Sequence, residues 1–162
     1  MTTVAVDVRT LEMCADKQAN DRGVRTSITK IRKIVIEHME NSSVFLSSVT
    51  HVLVGVAGEC QKGEEIFNWV RHGMPSQSRP KFAGNDNPDV TALVLCDDGR
   101  LYHIETDCVP CLLENEVYYA IGTGAMAAMS VFRCGLDVHT AVKVACEVDP
   151  YSGGGIDLIK LS

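Results

Sequence analysis

The sequence lacks the features that would send it to a membrane or to nucleic acid. Its longest apolar runs fall far short of the roughly 20 residues that span a bilayer. The N-terminus, Met1-Thr2-Thr3-Val4-Ala5-Val6-Asp7, has no basic region followed by an apolar core, so no secretory signal is read there. Basic residues are outnumbered, 15 Lys and Arg against 21 Asp and Glu, for a net charge of -6. A nucleic-acid surface needs the opposite balance, with Lys and Arg clustered. No internal repeat or low-complexity segment is evident. The glycine run Gly153-Gly154-Gly155 lacks the pattern of a phosphate-binding loop.

What is present suits a globular chain. With 162 residues, 46% of them hydrophobic and 22% charged, residues 1–162 are expected to form one domain with a sizeable core. The seven cysteines are odd in number and scattered, which favours free thiols in a reducing cytoplasm. Cys108 and Cys111 have redox or zinc spacing and His103 is nearby, but zinc takes four ligands and no second pair accompanies them. No metal or cofactor site is therefore expected.

Periodicity outlines the elements. Val4, Val6 and Val8 alternate with polar or small residues, and after a turn at Arg9-Thr10 the alternation resumes from Leu11 to Ala15, predicting a strand pair. Asp16 to Ser27, with Gly23, reads as a loop. The β-branched stretch Ile28–Ile36 predicts a strand, and the apolar run His51–Ala57 a buried one. Glu37 to Ser48 has no clear pattern. A helix is predicted over 59–72, with Ile66, Phe67 and Val70 on one face and Gly73 and Pro75 as its stop. Ser76 to Asp89 reads as a loop. Asp97-Asp98-Gly99 joins Val90–Cys96 to Arg100–Ile104 in a hairpin. A short strand at Tyr118–Ile121 precedes two helices, one from Gly124 to Gly135 and one capped by Asp137. A last strand covers 156–161. Trp69 is expected in the core, where its indole N–H needs a partner. This order suits two stacked sheets with helices outside, an α+β arrangement.

Six local patterns, in order along nearly the whole chain, resemble proteasome β-type subunits and their bacterial relatives. They are Thr2-Thr3 ahead of an alternating strand; Ala15-Asp16-Lys17-Gln18-Ala19; Thr29-Lys30-Ile31; Gly55-Val56-Ala57-Gly58 at a strand-to-helix junction; Ile121-Gly122-Thr123-Gly124; and Asp149-Pro150-Tyr151-Ser152-Gly153-Gly154. No single one would carry the resemblance; the ordered set does. It implies the four-layer αββα sandwich of N-terminal-nucleophile hydrolases and threonine-type peptidase activity.

The chemistry so implied can be rebuilt from the residues. A hydroxyl needs an adjacent base. Once Met1 is removed, Thr2 carries its own, an α-amine with a pKa of roughly 7.7–8.0 in free peptides. Lys30 is expected to keep that amine neutral through its charge, and Asp16 to hold Lys30 charged and oriented. The Gly55 N–H is expected to stabilise the oxyanion, and Thr123, Asp149 and Ser152 to position the amine. Ala19, Leu53 and Ala57 are expected to shape an apolar side-chain pocket. The expected partners are a peptide or unfolded protein substrate, further copies of the chain in a homo-oligomer or ring, and an ATPase.

Taken alone, each residue has a plainer reading: Thr2 a terminal residue, Lys30 a solvated strand lysine with Lys33 its rival, Asp16 a turn residue, Gly55 a packing glycine. The sequence also departs from the family pattern. Ser76 to Asp89 is too short for the second helix expected there, so one helix of an outer layer is expected to be missing or shortened. The stretch between Lys30 and Gly55 is longer, and Thr123 stands for a serine. Two alternatives therefore remain, a catalytically silent binding or assembly subunit and a small-molecule amidase.

Overall fold

A computed structural model describes residues 2–38, 40–82 and 90–161. Strand β1 (Thr3–Asp7) pairs with β2 (Glu12–Asp16) through a tight turn, as the alternation predicts. Two further strands flank them, β10 (Tyr118–Gly122) on β1 and β11 (Ile156–Lys160) on β2, giving the order β10-β1-β2-β11. The second sheet is β5 (Ile31–Val35), β6 (His51–Gly58), β7 (Val90–Cys96), β8 (Leu101–Ile104) and β9 (Cys111–Leu112), in that order and antiparallel throughout.

Alternation along the strands explains the layering. Val4 and Val6 of β1 and Met13 and Ala15 of β2 face the other sheet, meeting Ile31, Leu53, Leu93 and Leu95. Ala5 and Cys14, one residue out of phase, face helices α2 (Ala125–Arg133) and α3 (Val138–Val148), where Phe132, Ala141 and Val142 cover them. Val52, Val54 and Val56 of β6 face helix α1 (Cys60–Arg71) and its Ile66, Trp69 and Val70. The layers are therefore helices, sheet, sheet, helix: an α+β, four-layer αββα sandwich. Each buried aliphatic side chain contributes about 1.5–3 kcal/mol, which makes the period-two pattern decisive.

Local chemistry sets the helix ends. Asp137 caps α3 by accepting the Thr140 N–H at 2.7 Å. These hydrogen bonds from the helix end hold the Asp137 carboxyl below its ordinary range. Beyond α1, the Trp69 indole donates to the Pro75 carbonyl at 3.0 Å.

Three expectations need correction. Asp16 to Ser27 is not a plain loop: β3 (Gln18–Asp21) and β4 (Val24–Ser27) form a hairpin. Its turn places both Arg22 and Gly23 at positive φ, 47° and 84°, as a type I′ turn requires. The strand expected at Ile28–Ile36 starts only at Ile31. The patternless stretch before β6 has a structural task, because Leu46 and Val49 are fully buried in the α1 layer. In the region expected to lack a helix, a short 3-10 turn spans Ser76–Ser78. Residues 83–89 of that predicted loop lie outside the described residues.

Candidate active site

Five chain segments converge at one end of the two sheets. Thr2 leads into β1, Asp16 ends β2, and Lys30 immediately precedes β5. Thr123 follows β10, and Asp149 and Ser152 belong to the tight turn between α3 and β11. Thr2, Asp16, Lys30 and Ser152 are at most 5% exposed.

Asp16 organises the centre. Its Oδ1 accepts the Thr3 N–H and the Lys30 ammonium, each at 2.8 Å. Its Oδ2 accepts the Gln18 N–H at 3.1 Å and the Gly153 N–H at 2.9 Å. Four donors use the full acceptor capacity of a carboxylate. Asp16 thereby ties the residue after Thr2, the turn after β2 and the glycine loop to Lys30. The Lys30 ammonium also donates to the Gln18 carbonyl. Burial pulls the Lys30 pKa below that of an ordinary lysine, against the upward pull of the Asp16 hydrogen bond and charge.

A second cluster meets Thr2 from the other side. The Thr2 N–H donates to Thr123 Oγ1 at 3.2 Å. Thr123 Oγ1 and Ser152 Oγ both lie 2.6 Å from Asp149 Oδ2. A carboxylate only accepts, so both hydroxyls donate to it. Ser152 Oγ, having given its proton to Asp149, accepts that of Thr3 Oγ1, 2.7 Å away. Burial raises the Asp149 pKa, but the hydrogen bonds from Ser152, Thr123 and the Tyr151 amide outweigh it and leave the carboxyl below its ordinary range. Gly122 makes this approach feasible: its φ is +92°, and a Cβ there would lie 2.0 Å from the Thr2 carbonyl oxygen.

Thr2 and Lys30 open onto a cavity of about 360 Å³. Its other walls include Ile28, Arg32, Val56, Cys60, Glu64 and Phe67. These were missed in the sequence because they come from the segment entering β5, from β5 itself, the end of β6 and the first turns of α1. Leu53 and Ala57, expected in the pocket, face the opposite side of β6 and pack between the sheets. Half-buried Ala19 sits on β3 and does not line the cavity.

Gly55 also differs from expectation. The Val56 N–H donates to the Lys30 carbonyl at 2.9 Å, so Ile31 and Gly55 face each other as a non-hydrogen-bonded pair. The alternation of an antiparallel ladder then turns the Gly55 N–H toward β7, away from Lys30, where it cannot serve the cavity as an oxyanion donor. The structure gives Gly55 a packing reason instead: a Cβ there would fall 2.5 Å from Val4 Cγ1 and 2.7 Å from Met13 Sδ. Gly58, at the end of β6, is the β6 glycine that lines the cavity.

Among the described residues no group of three or more His, Cys, Asp or Glu is placed to hold a metal ion. None of their helices is long and apolar enough to cross a membrane. Cys108 and Cys111 differ in setting, Cys108 buried with its thiol pushed up to about 11 and Cys111 exposed.

The sequence matches no protein-family model and no curated protein. In three dimensions it is similar to a Thiobacillus denitrificans protein, BPH, solved in complex with epoxomicin, with a TM-score of 0.66, 13% identity and coverage of 99% of this chain and 100% of that one. It is also similar to the HslV of Trypanosoma brucei, with a TM-score of 0.62, 15% identity and 98% of both chains covered. Anbu, an ancestral beta-subunit from Yersinia bercovieri, aligns with a TM-score of 0.64 at 10% identity, over 98% of this chain and 80% of that one. The chain has the fold of a proteasome-type β subunit. In this fold the end of the sandwich where Thr2 precedes β1 joins the two clusters described above.

Proposed function

We propose that this protein is a threonine-type peptidase whose nucleophile is Thr2 Oγ, freed for action by removal of Met1. The supporting observation is the double anchoring of Thr2: Asp16 binds both the Thr3 amide and Lys30, while Thr123, its hydroxyl proton donated to Asp149, accepts from the Thr2 nitrogen. After Met1 removal that nitrogen is an amine. The Thr123 oxygen holds one of its protons, which aims the nitrogen lone pair, and the amine takes the proton of Thr2 Oγ. Thr2 Oγ then attacks a peptide carbonyl to form an ester, the amine passes its proton to the leaving nitrogen, and water releases the acyl group. Lys30, ion-paired with Asp16 at 2.8 Å, places a positive charge near Thr2 that favours the neutral, proton-accepting form of its amine.

The substrate is a peptide or an unfolded protein segment, and the cavity beside Thr2 receives one of its side chains. The protein works as a homo-oligomer, a reading supported by its likeness in fold to proteasome-type β subunits.

The test is intact mass before and after treatment with an epoxyketone, which needs both Oγ and a free amine. A chain that has lost Met1 and gains one adduct, with no adduct in Thr2→Ala, is the expected result. A chain without Met1 that takes no adduct and cleaves no peptide overturns the proposal in favour of a binding or assembly subunit.

A further inference from the structure

The cavity beside Thr2 carries a charged pair that this mechanism does not use. Arg32, two residues beyond Lys30, reaches across to α1. Its guanidinium carbon lies 4.1 Å from the centre of the Phe67 ring. Its two terminal nitrogens both donate to Glu64, Nη1 to Oε2 at 2.8 Å and Nη2 to Oε1. This is the parallel, two-bond geometry in which a guanidinium recognises a carboxylate. The remaining charges on the cavity wall are matched as well: Lys30 by Asp16 at 2.8 Å and Glu59 by Lys62 at 3.0 Å. Between them the wall is formed by Ile28, Val56, Cys60 and the Phe67 ring.

We propose that the Arg32–Glu64 pair sets the charge selectivity of the side-chain pocket, with Glu64 keeping Arg32 satisfied so that the pocket takes an uncharged apolar side chain. This rests on the peptidase reading above. An acidic side chain entering the cavity has to take Arg32 from Glu64, exchanging one carboxylate for another while bringing two carboxylates together. A basic one has to take Glu64 from Arg32. Either exchange returns no net ion pair for the water the substrate gives up, so both are selected against. An apolar side chain meets Phe67, Ile28 and Val56 and desolvates no unmatched charge. The pair is also replaceable. Its side chains are 34% and 61% exposed, so removing one partner does not strand the other in a dry core. Loss of Glu64 leaves a guanidinium held in place by Phe67 with its donors facing the cavity. Loss of Arg32 leaves a carboxylate there.

The experiment compares three fluorogenic peptides that differ only in the residue whose carbonyl is attacked: leucine, glutamate or arginine. The wild-type protein with Met1 removed should favour leucine. Glu64→Gln should raise the ratio of kcat/KM for glutamate over leucine by about 10-fold or more, and Arg32→Met should do the same for arginine over leucine. Ratios unchanged in both variants, or a wild-type preference for a charged residue, overturn the proposal while leaving the peptidase reading intact. Binding of the same peptides to Thr2→Ala, alone and combined with each pocket substitution, separates the two. A swap of charge preference in binding, with no turnover by the wild type, sinks the peptidase reading and keeps the pocket assignment. Neither turnover nor binding removes both.

Discussion

Asp16→Asn should be far more damaging than Lys30→Met, although the two residues form one ion pair. Asp16 has no exposed surface and four donors; Lys30 Nζ has Asp16 and the Gln18 carbonyl. An asparagine oxygen can keep two of the four donors. Its NH₂ then confronts the other two, and the Lys30 ammonium stays buried with one carbonyl. Breaking a buried pair in this way costs about 3–5 kcal/mol, and each amide left without an acceptor a further ~1–3 kcal/mol. The expected loss of ~4–8 kcal/mol is comparable with the ~5–15 kcal/mol that holds an ordinary protein folded. Lys30→Met removes the ammonium but leaves Asp16 with its three amide donors, so the cost should be only ~1–3 kcal/mol, chiefly from the orphaned Gln18 carbonyl. In the double variant no charge is stranded, and the loss should fall short of the sum by ~2 kcal/mol or more. Trp69 is the single tryptophan and is 4% exposed, so urea unfolding followed by its fluorescence gives all four stabilities. Equal costs for the two single variants, or additivity within ~0.5 kcal/mol, would show that Asp16 does not organise this centre.

Three further outcomes are expected. Thr123→Ser, which keeps the hydroxyl between Asp149 and the Thr2 nitrogen, should retain most peptidase activity, whereas Thr123→Val should lower kcat about 10–100-fold, read with a fluorogenic peptide. Gly122→Ala should abolish epoxyketone labelling, because a Cβ 2.0 Å from the Thr2 carbonyl oxygen forces the N-terminal strand to move; full labelling would contradict the close approach. Burial pushes the Cys14 and Cys96 thiols up from 9.0 to about 12, so between those values the unfolded chain loses its protons first and stability falls as pH rises. Urea midpoints measured from pH 8 to pH 10.5 should therefore decline less steeply in Cys14→Ala than in the wild type.

The parts of this structure legible in the sequence are those governed by local periodicity or by short, fixed spacings. Val4, Val6 and Met13 against Ala5 and Cys14 divide β1 and β2 into two faces, and the sheets stack as that division requires. Asp98-Gly99 and the Asp137 cap are local signals and both hold. The β3–β4 hairpin was hidden because its I′ turn uses Arg22 before Gly23, and Arg carries no left-handed preference of its own. Residues converging on Thr2 were recoverable only as an ordered set, since the bonds that join them, such as Thr2 to Thr123 and Thr3 to Ser152, span 121 and 149 residues. For Leu53 and Ala57 the motif was found but the face was not: a strand offers two faces, and which one meets a cavity depends on where β5 ends and α1 begins. The same reason hides the Arg32–Glu64 pair, whose members lie 32 residues apart on a strand and a helix that share no periodic signal. Charge matching around this cavity is thus a property of the packed layers, so selectivity can change by substitution at α1 without disturbing the ordered motifs that place Thr2.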